Sequence, residues 1–158
     1  MDHKIYIGID PGKSGGITFV YDELSYTKAC PETIQDMAEE IEVCKELAPE
    51  IDKYAVIEAV HSFPGQGVRS VWTFGENYGI WLGILAANKI PYIQVTPRKW
   101  MAFYGSLPRE KKDRKNKLKH LAQQRFPNLH ITLKTADSVL LANYLREIKI
   151  KEKSVSKI

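Results

Sequence analysis

The chain has 158 residues, of which 44% are hydrophobic and 27% charged, and its formal net charge is +4 at pH 7. This length suits a single domain with a buried core, and the composition is that of an ordinary soluble globular protein. No run reaches the ~18 apolar residues of a membrane span, so no membrane partner is expected. The N-terminal residues lead directly into a strand pattern without a signal peptide, which predicts a cytoplasmic protein.

Three strand patterns open the chain, over residues 4–9, 16–21 and 24–29. Their spacing predicts an antiparallel meander. Pro31-Glu32-Thr33 then begins a helix whose apolar positions recur as far as Leu47. A short buried strand over 54–59 comes next and is followed by a Gly/Pro loop over 61–69.

The second half of the chain is predicted to be mainly helical. Helices are expected over 71–88, 111–125 and 137–148, a strand over 91–95, and a short helix that Thr96 caps and Pro97 begins. Residues 149–158 are expected to form a charged, flexible tail. The order of elements predicts one α/β domain over residues 1–148, with a mixed five-stranded sheet. Three antiparallel strands are followed by β/α units, and helices cover both faces of the sheet.

Three acids occupy special places in these patterns. Asp10 lies at the end of the first strand, Glu58 at the end of the fourth, and Asp137 begins the last helix. A buried carboxylate must pair with a cation or accept several hydrogen bonds, and three converging carboxylates would suit a hard divalent cation such as Mg²⁺ or Mn²⁺. Taken singly, Asp10 could start a turn, Glu58 could end a strand in a salt bridge, and Asp137 could complement the helix dipole.

The positive charge is concentrated in one segment. Residues 97–125 contain ten Lys and Arg against two acids, so this segment carries +8 while the remaining chain carries −4. Such a block indicates a polyanionic partner, although a solvated lysine-rich helix face would look the same.

Five motifs occur in order over nearly the whole chain: IGIDPGKSGG, AVIEAVHSFPGQG, FGENYGIWLGILAANKIPY, TPRKWM and TADSVLLANYL. In these motifs the chain resembles the RuvC-type Holliday junction resolvases of the retroviral-integrase/RNase H-like superfamily, and its central segment is closer to phage-encoded and organellar members. The resemblance implies an RNase H-like fold, a homodimer, and cleavage of four-way junctions or forks in DNA with two Mg²⁺ or Mn²⁺ ions per site. For a phage-encoded member the location would be the host cytoplasm.

The resemblance also implies roles for the three acids as metal-binding catalytic residues. Asp10 would bridge both ions, Glu58 would serve the leaving-group side and Asp137 the nucleophile side. The products would be a 5′-phosphate and a 3′-hydroxyl.

One position departs from the family pattern. The family has a fourth ligand, aspartate or histidine, three or four residues before the last acid, where this chain has Leu133 and Lys134. Protonated lysine cannot coordinate a metal, although its ammonium could replace part of the charge of a second cation. Three interpretations stay open: a different fourth group, a weakened metal site, or a chain impaired as a nuclease.

The residues expected to contact DNA lie in the first turn, in the loop after Glu58 and in the basic segment. They are Lys13, Ser14, Phe63, Gln66, Arg69, Arg98, Lys99, Lys111, Lys112, Arg114, Lys115, Lys117 and Lys119. Phe63 could stack on unpaired bases at a branch point, or it could simply pack within its loop. The apolar helix over 71–88 could form a dimer contact, or it could only cover the sheet.

Other functions share some of these features. Sugar kinases and Hsp70-like ATPases also open with an Asp-Gly phosphate loop on this kind of fold, but they need two such domains, and 158 residues supply one. An RNA-processing nuclease and a branched-DNA-binding protein with weak or no cleavage remain alternatives.

Overall fold

A computed structural model describes residues 3–22, 24–59 and 61–155 of the chain. Five strands and five helices occur in these ranges. They are β1 Lys4–Asp10, β2 Gly16–Tyr21, β3 Leu24–Ala29, α1 Ile34–Leu47, β4 Asp52–Glu58, α2 Val68–Ala87, β5 Tyr92–Val95, α3 Pro97–Ala102, α4 Lys111–Arg125 and α5 Ala136–Val155. None of the helices described is long and apolar enough to cross a membrane.

The strands form one mixed sheet in the order β3-β2-β1-β4-β5. β1 pairs antiparallel with β2, and β2 pairs antiparallel with β3. β1 and β4 run parallel, with Ile9 opposite Ile57, and β4 and β5 are also parallel. The predicted five-stranded α/β arrangement, an antiparallel meander followed by β/α units, is therefore confirmed.

Helices cover both faces of this sheet, as predicted. On one face the side chains of β1, β2 and β4 meet α1 and α2, where Met37, Trp81 and Leu85 are buried. On the other face α3, α4 and α5 pack on the sheet, and Trp100 and Leu118 are buried there. β1, β2 and β4 therefore alternate their side chains between two apolar layers, which is the pattern that a sheet covered on both sides requires.

Two helix boundaries differ from the sequence predictions. α2 begins at Val68, because the N–H of Val71 already bonds the carbonyl of Gly67, so Arg69 lies in the first helical turn rather than in a loop. α5 continues to Val155, through most of the segment expected to be a flexible tail. Its charges pair along the helix there, since Lys149 lies 2.9 Å from Glu152. Residues 156–158 lie outside the described ranges, and the division into a domain and a tail stays a prediction.

The position of α5 on the sheet depends on Gly8 of β1. A Cβ atom at Gly8 would lie 2.1 Å from the carbonyl oxygen of Ser138 and 2.5 Å from the amide nitrogen of Ala142, both in the backbone of α5. No side chain fits into this contact. The absent side chain therefore lets α5 lie directly on β1, in the strand that ends at Asp10.

We predict that Gly8→Ala lowers the free energy of unfolding by about 3 kcal/mol, at the upper end of the usual cost of overpacking, because two backbone segments must separate. Denaturant unfolding followed by circular dichroism measures this change. Gly67→Ala is the matched control, since Gly67 has φ −63° and a Cβ there meets only the hydroxyl of Ser70, at 3.9 Å. Equal midpoints for Gly8→Ala and the unsubstituted protein would refute this account.

Candidate active site

The three carboxylates singled out in the sequence come together at one edge of the sheet. Asp10 is the last residue of β1 and Glu58 the last residue of β4. These strands are parallel neighbours, so their C-terminal residues reach the same edge. Asp137 is the second residue of α5, the helix that lies on β1, and only 2% of its surface is exposed. Strand pairing thus brings Asp10 and Glu58 together, and the packing of α5 on β1 adds Asp137.

A network of hydroxyl groups holds the start of α5 against the sheet. The hydroxyl of Ser138 lies 2.8 Å from that of Thr18 in β2, and it donates to the carbonyl of Thr135 at 2.9 Å. Thr18 also lies 2.7 Å from the hydroxyl of Thr27 in β3. Because Ser138 follows Asp137 directly, these bonds fix the residue next to the acid and hence the place where its carboxylate enters the site.

The charges of the three acids act on one another. Burial raises the pKa of Asp10 well above its ordinary value, and the charges of Glu58 and Asp137 raise it further, while Lys115 lowers it. Burial likewise raises the pKa of Glu58 to about 7; Asp137 adds to this rise, and Trp100 and Lys115 oppose it. Mutual repulsion of this kind requires carboxylates that share one poorly solvated region.

Trp100 of α3 holds the carboxylate of Glu58. Its indole N–H donates to Oε2 of Glu58 at 2.6 Å, and the tryptophan is fully buried. Its ring packs in the apolar layer on this face of the sheet. The hydrogen bond adds a positioning role. Only the three-dimensional approach of α3 to the end of β4 reveals it.

A lysine of the basic helix reaches into the site. The ammonium of Lys115 in α4 forms a hydrogen-bonded ion pair with Oδ2 of Asp137. Burial opposes the charge on Lys115, but Asp137, with Asp10 and Glu58 nearby, raises its pKa above the ordinary value, so it remains an ammonium at neutral pH. Its spacing from Leu118 and Ala122, which are both buried, places it on the inward face of α4. That spacing was the signal in the sequence that sets Lys115 apart from its lysine neighbours.

The doubtful fourth position lies outside this cluster of buried groups. Lys134 sits in the turn before α5 with its side chain exposed, and Leu133 is 50% exposed. Within residues 3–22, 24–59 and 61–155, no group of three His, Cys, Asp or Glu side chains is arranged to hold a metal ion. In the part of the chain that the structure describes, no hydrogen bond reaches the buried Oδ1 of Asp137.

The turn after Asp10 is held by α2. Gly12 has φ 101°, a conformation that favours glycine, and its N–H donates to Oδ1 of Asn77 at 2.7 Å. The ring of Phe74 lies against the same glycine. Lys13 and Ser14, expected at DNA, are exposed at the tip of this turn. Asn77 was not singled out in the sequence, where nothing distinguishes it from other polar residues of the helix.

The remaining DNA-contact candidates are mostly on the surface. Phe63 is 64% exposed, and its N–H donates to the side chain of Gln66 at 2.7 Å. The exposed basic residues are Arg69, Arg98, Lys99, Lys111, Lys112 and Lys117. Lys119 is half-buried, and the guanidinium of Arg114 donates to the carbonyls of Pro108 and Arg109. Arg114 thus ties down the segment before α4, whereas the exposed residues are available to a polyanion.

We predict that Glu58→Gln stabilises the protein in EDTA at pH 8 by about 1–3 kcal/mol and has little effect at pH 4.5. The folded-state pKa of Glu58, about 7, exceeds the ordinary 4.5, so folding favours the protonated acid. The stability that protonated Glu58 contributes is therefore fully present below about pH 4.5, and it is lost as the pH rises through about 7. Denaturant unfolding between pH 4 and 9 measures the difference. Glu39→Gln, on the exposed surface of α1, should show no such trend, and a difference for Glu58→Gln that does not change with pH would disprove the assignment.

Comparison with solved structures identifies the fold. The chain is similar to Thermus thermophilus RuvC in complex with a Holliday junction substrate, with a TM-score of 0.60 and 14% sequence identity over 90% of this chain and 92% of that chain. It is also similar to another Thermus thermophilus RuvC structure, with a TM-score of 0.59 and 15% identity over 92% and 96% of the two chains. No family model and no curated protein matches the sequence. The observed topology and these similarities together show that the chain has a RuvC-like fold of the RNase H-like type.

Proposed function

We propose that the protein is a metal-dependent endonuclease that cleaves Holliday junctions and other branched DNA by hydrolysing a phosphodiester. The observation that carries this proposal is the meeting of Asp10, Glu58 and Asp137 at one edge of a RuvC-like fold. The Thermus thermophilus RuvC that the chain resembles forms a complex with a Holliday junction substrate, which supports the same class of substrate here.

The donor atoms of the site suit a hard divalent cation such as Mg²⁺ or Mn²⁺. Asp10, Glu58 and Asp137 offer only carboxylate oxygens, and no described residue hydrogen-bonds the buried Oδ1 of Asp137. When bound, such a cation activates water and neutralises charge on the leaving oxygen. Trp100 orients Glu58 toward the cluster. The expected products are a 5′-phosphate and a 3′-hydroxyl.

The surfaces beside the site support DNA as the substrate. Lys13 and Ser14 lie exposed in the turn that follows Asp10, and Lys111, Lys112 and Lys117 lie exposed on α4, the helix that also carries Lys115. Lysine side chains in such a position neutralise phosphates without reading base sequence. Selectivity for a branch would come from the segment after Glu58, where Phe63 is exposed and can stack on an unpaired base.

A second candidate function is binding of branched DNA with weak or no cleavage. The observation that favours it is Lys134, which stands where the resemblance implies a fourth ligand, aspartate or histidine, and whose side chain is exposed. Junction binding in EDTA, together with no cleavage in Mg²⁺ or Mn²⁺, would select this function. Cleavage of RNA but not of DNA junctions would select the related RNA-processing nuclease instead.

We further propose that two copies of the chain pair through α2, so that two sites face the two symmetric strands of a four-way junction. One face of α2 packs on the sheet through Trp81 and Leu85. The other face carries Val68, Trp72, Gly75, Gly79 and Gly83. Val68 and Trp72 are 87% and 74% exposed, and a Cβ at any of the three glycines would meet no atom within 4 Å. A stripe of small and apolar residues of this kind permits the close approach of a second helix.

We predict that Asp10→Asn lowers the rate of junction cleavage more than about 100-fold while leaving junction binding intact. Even groups that only orient metal ligands typically contribute 10–100-fold. Gel assays with four-way, forked and linear DNA in Mg²⁺ and Mn²⁺ measure both properties. Asp52→Asn is the matched control, because Asp52 begins β4 at the opposite end of the sheet and is exposed. Cleavage by Asp10→Asn at nearly the original rate would rule out the proposed site.

We predict that Gly79→Glu converts the protein from a dimer to a monomer, because a charged side chain would be buried between two helices. Sedimentation velocity over a range of protein concentrations measures the oligomeric state. Gln35→Glu adds the same charge to the exposed surface of α1 and should leave the dimer unchanged. If the unsubstituted protein sediments as a monomer at every concentration, or Gly79→Glu still sediments as a dimer, the pairing through α2 is incorrect.

A further inference from the structure

We infer that Asn77 of α2 is a positioning residue for the Asp10 turn, the segment of residues 10–15 that joins β1 to β2. By holding the N–H of Gly12, its side chain fixes the place of Asp10 and so sets the rate of cleavage rather than the affinity for DNA. This inference rests on the proposed nuclease function. It follows from the packing of the turn, from the surroundings of Asn77 and from the two faces of the sheet that support Asp10.

The Asp10 turn is tightly packed within itself. The N–H of Gly15 donates to the carbonyl of Gly12 at 3.0 Å. A Cβ atom at Gly15 would overlap the carbonyl oxygen of Asp10, so the two ends of the turn are in close contact. Pro11, between Asp10 and Gly12, fixes one further backbone angle. A displacement of Gly12 is therefore passed on to Asp10 rather than absorbed within the turn.

Asn77 holds the turn at Gly12. This glycine is buried, and its N–H donates to Oδ1 of Asn77 at 2.7 Å. The ring of Phe74, one helical turn earlier on α2, lies against the same glycine. Without the oxygen of Asn77 a buried N–H would lose this hydrogen bond, which is costly, so the turn would have to move to find another acceptor.

The surroundings of Asn77 favour a dedicated role for its amide. The side chain lies against Cys30 and Met37, two members of the apolar layer on the α1 and α2 face of the sheet. Nδ2 of Asn77 lies 3.8 Å from Sγ of Cys30 and 3.9 Å from Sδ of Met37. These contacts engage the amide nitrogen and leave the oxygen for Gly12. A polar group beside an apolar layer is costly unless it is hydrogen-bonded, and Gly12 supplies that bond.

Asp10 is supported from both faces of the sheet. Its side chain points to the same face as Gly8, two residues earlier, which is the face on which α5 carries Asp137. α2 lies on the opposite face, so Asn77 supports the turn from the side away from the other acids. Asn77 therefore acts on Asp10 through the backbone of the turn.

The test compares two substitutions of Asn77 that differ in the acceptor. Asn77→Leu has a similar shape and removes the oxygen, whereas Asn77→Asp keeps an oxygen at the position of Oδ1. We expect Asn77→Leu to lower the single-turnover rate of junction cleavage at saturating Mg²⁺ about 10- to 100-fold, because a displacement of about 1 Å at a reacting group can cost about 100-fold. Junction affinity in EDTA should change less than about 3-fold, since it comes from many phosphate contacts. Asn77→Asp should restore most of the rate, because a carboxylate oxygen also accepts from the N–H of Gly12.

Leu85→Ala is the matched control for loss of stability. Leu85 is buried on the same helix, two turns beyond Asn77, and its truncation destabilises the fold at a place away from the Asp10 turn. Its cleavage rate should equal that of the unsubstituted protein at a temperature where unfolding measurements show every variant to be folded.

Several results would overturn the inference and leave the nuclease function standing. They are an unchanged rate in Asn77→Leu, a loss of junction affinity as large as the loss of rate, an equal loss of rate in Leu85→Ala, or no recovery in Asn77→Asp. Absence of cleavage by the unsubstituted protein would overturn both proposals.

Discussion

The contact between α5 and Gly8 is the constraint on which the candidate site depends. β1 carries Asp10 at its end, and α5 carries Asp137 in its first turn. The two acids share one region because the helix backbone lies directly on a residue without a side chain. The hydrogen bond between the hydroxyls of Ser138 and Thr18 then opposes sliding and rotation of α5 on the sheet. The packing of α5 in the core therefore also sets the positions of the acids at the edge of the sheet.

That closeness has an electrostatic cost, which the surrounding elements partly offset. Burial and mutual repulsion hold the pKa values of Asp10 and Glu58 above their ordinary range. Lys115 from α4 and the indole of Trp100 from α3 work in the opposite direction. Two helices on one face of the sheet therefore act on acids contributed by other elements. A site under such repulsion is prepared to bind positive charge.

Much of the fold could be predicted from the sequence, because local patterns determine it. Strand patterns separated by short turns predicted β1 to β3, and the helical spacing of apolar residues as far as Leu47 predicted α1. The sequence predicted a mixed sheet but not the parallel pairing of β1 with β4, which makes Asp10 and Glu58 neighbours. The inward direction of Lys115 and the hydrogen bond of Trp100 depend on how α3 and α4 lie on the sheet. Contacts between distant segments leave little trace in local patterns, so these two roles became visible only in the structure.

The hydrogen bond of Trp100 also determines where a proton can reside on Glu58. An indole N–H donates and cannot accept, so the oxygen that faces it, Oε2, must present a lone pair. When Glu58 is protonated, its carbonyl oxygen is the better acceptor for the indole, so the proton is favoured on Oε1. The tryptophan thus selects which of the two oxygens of Glu58 carries the acidic hydrogen.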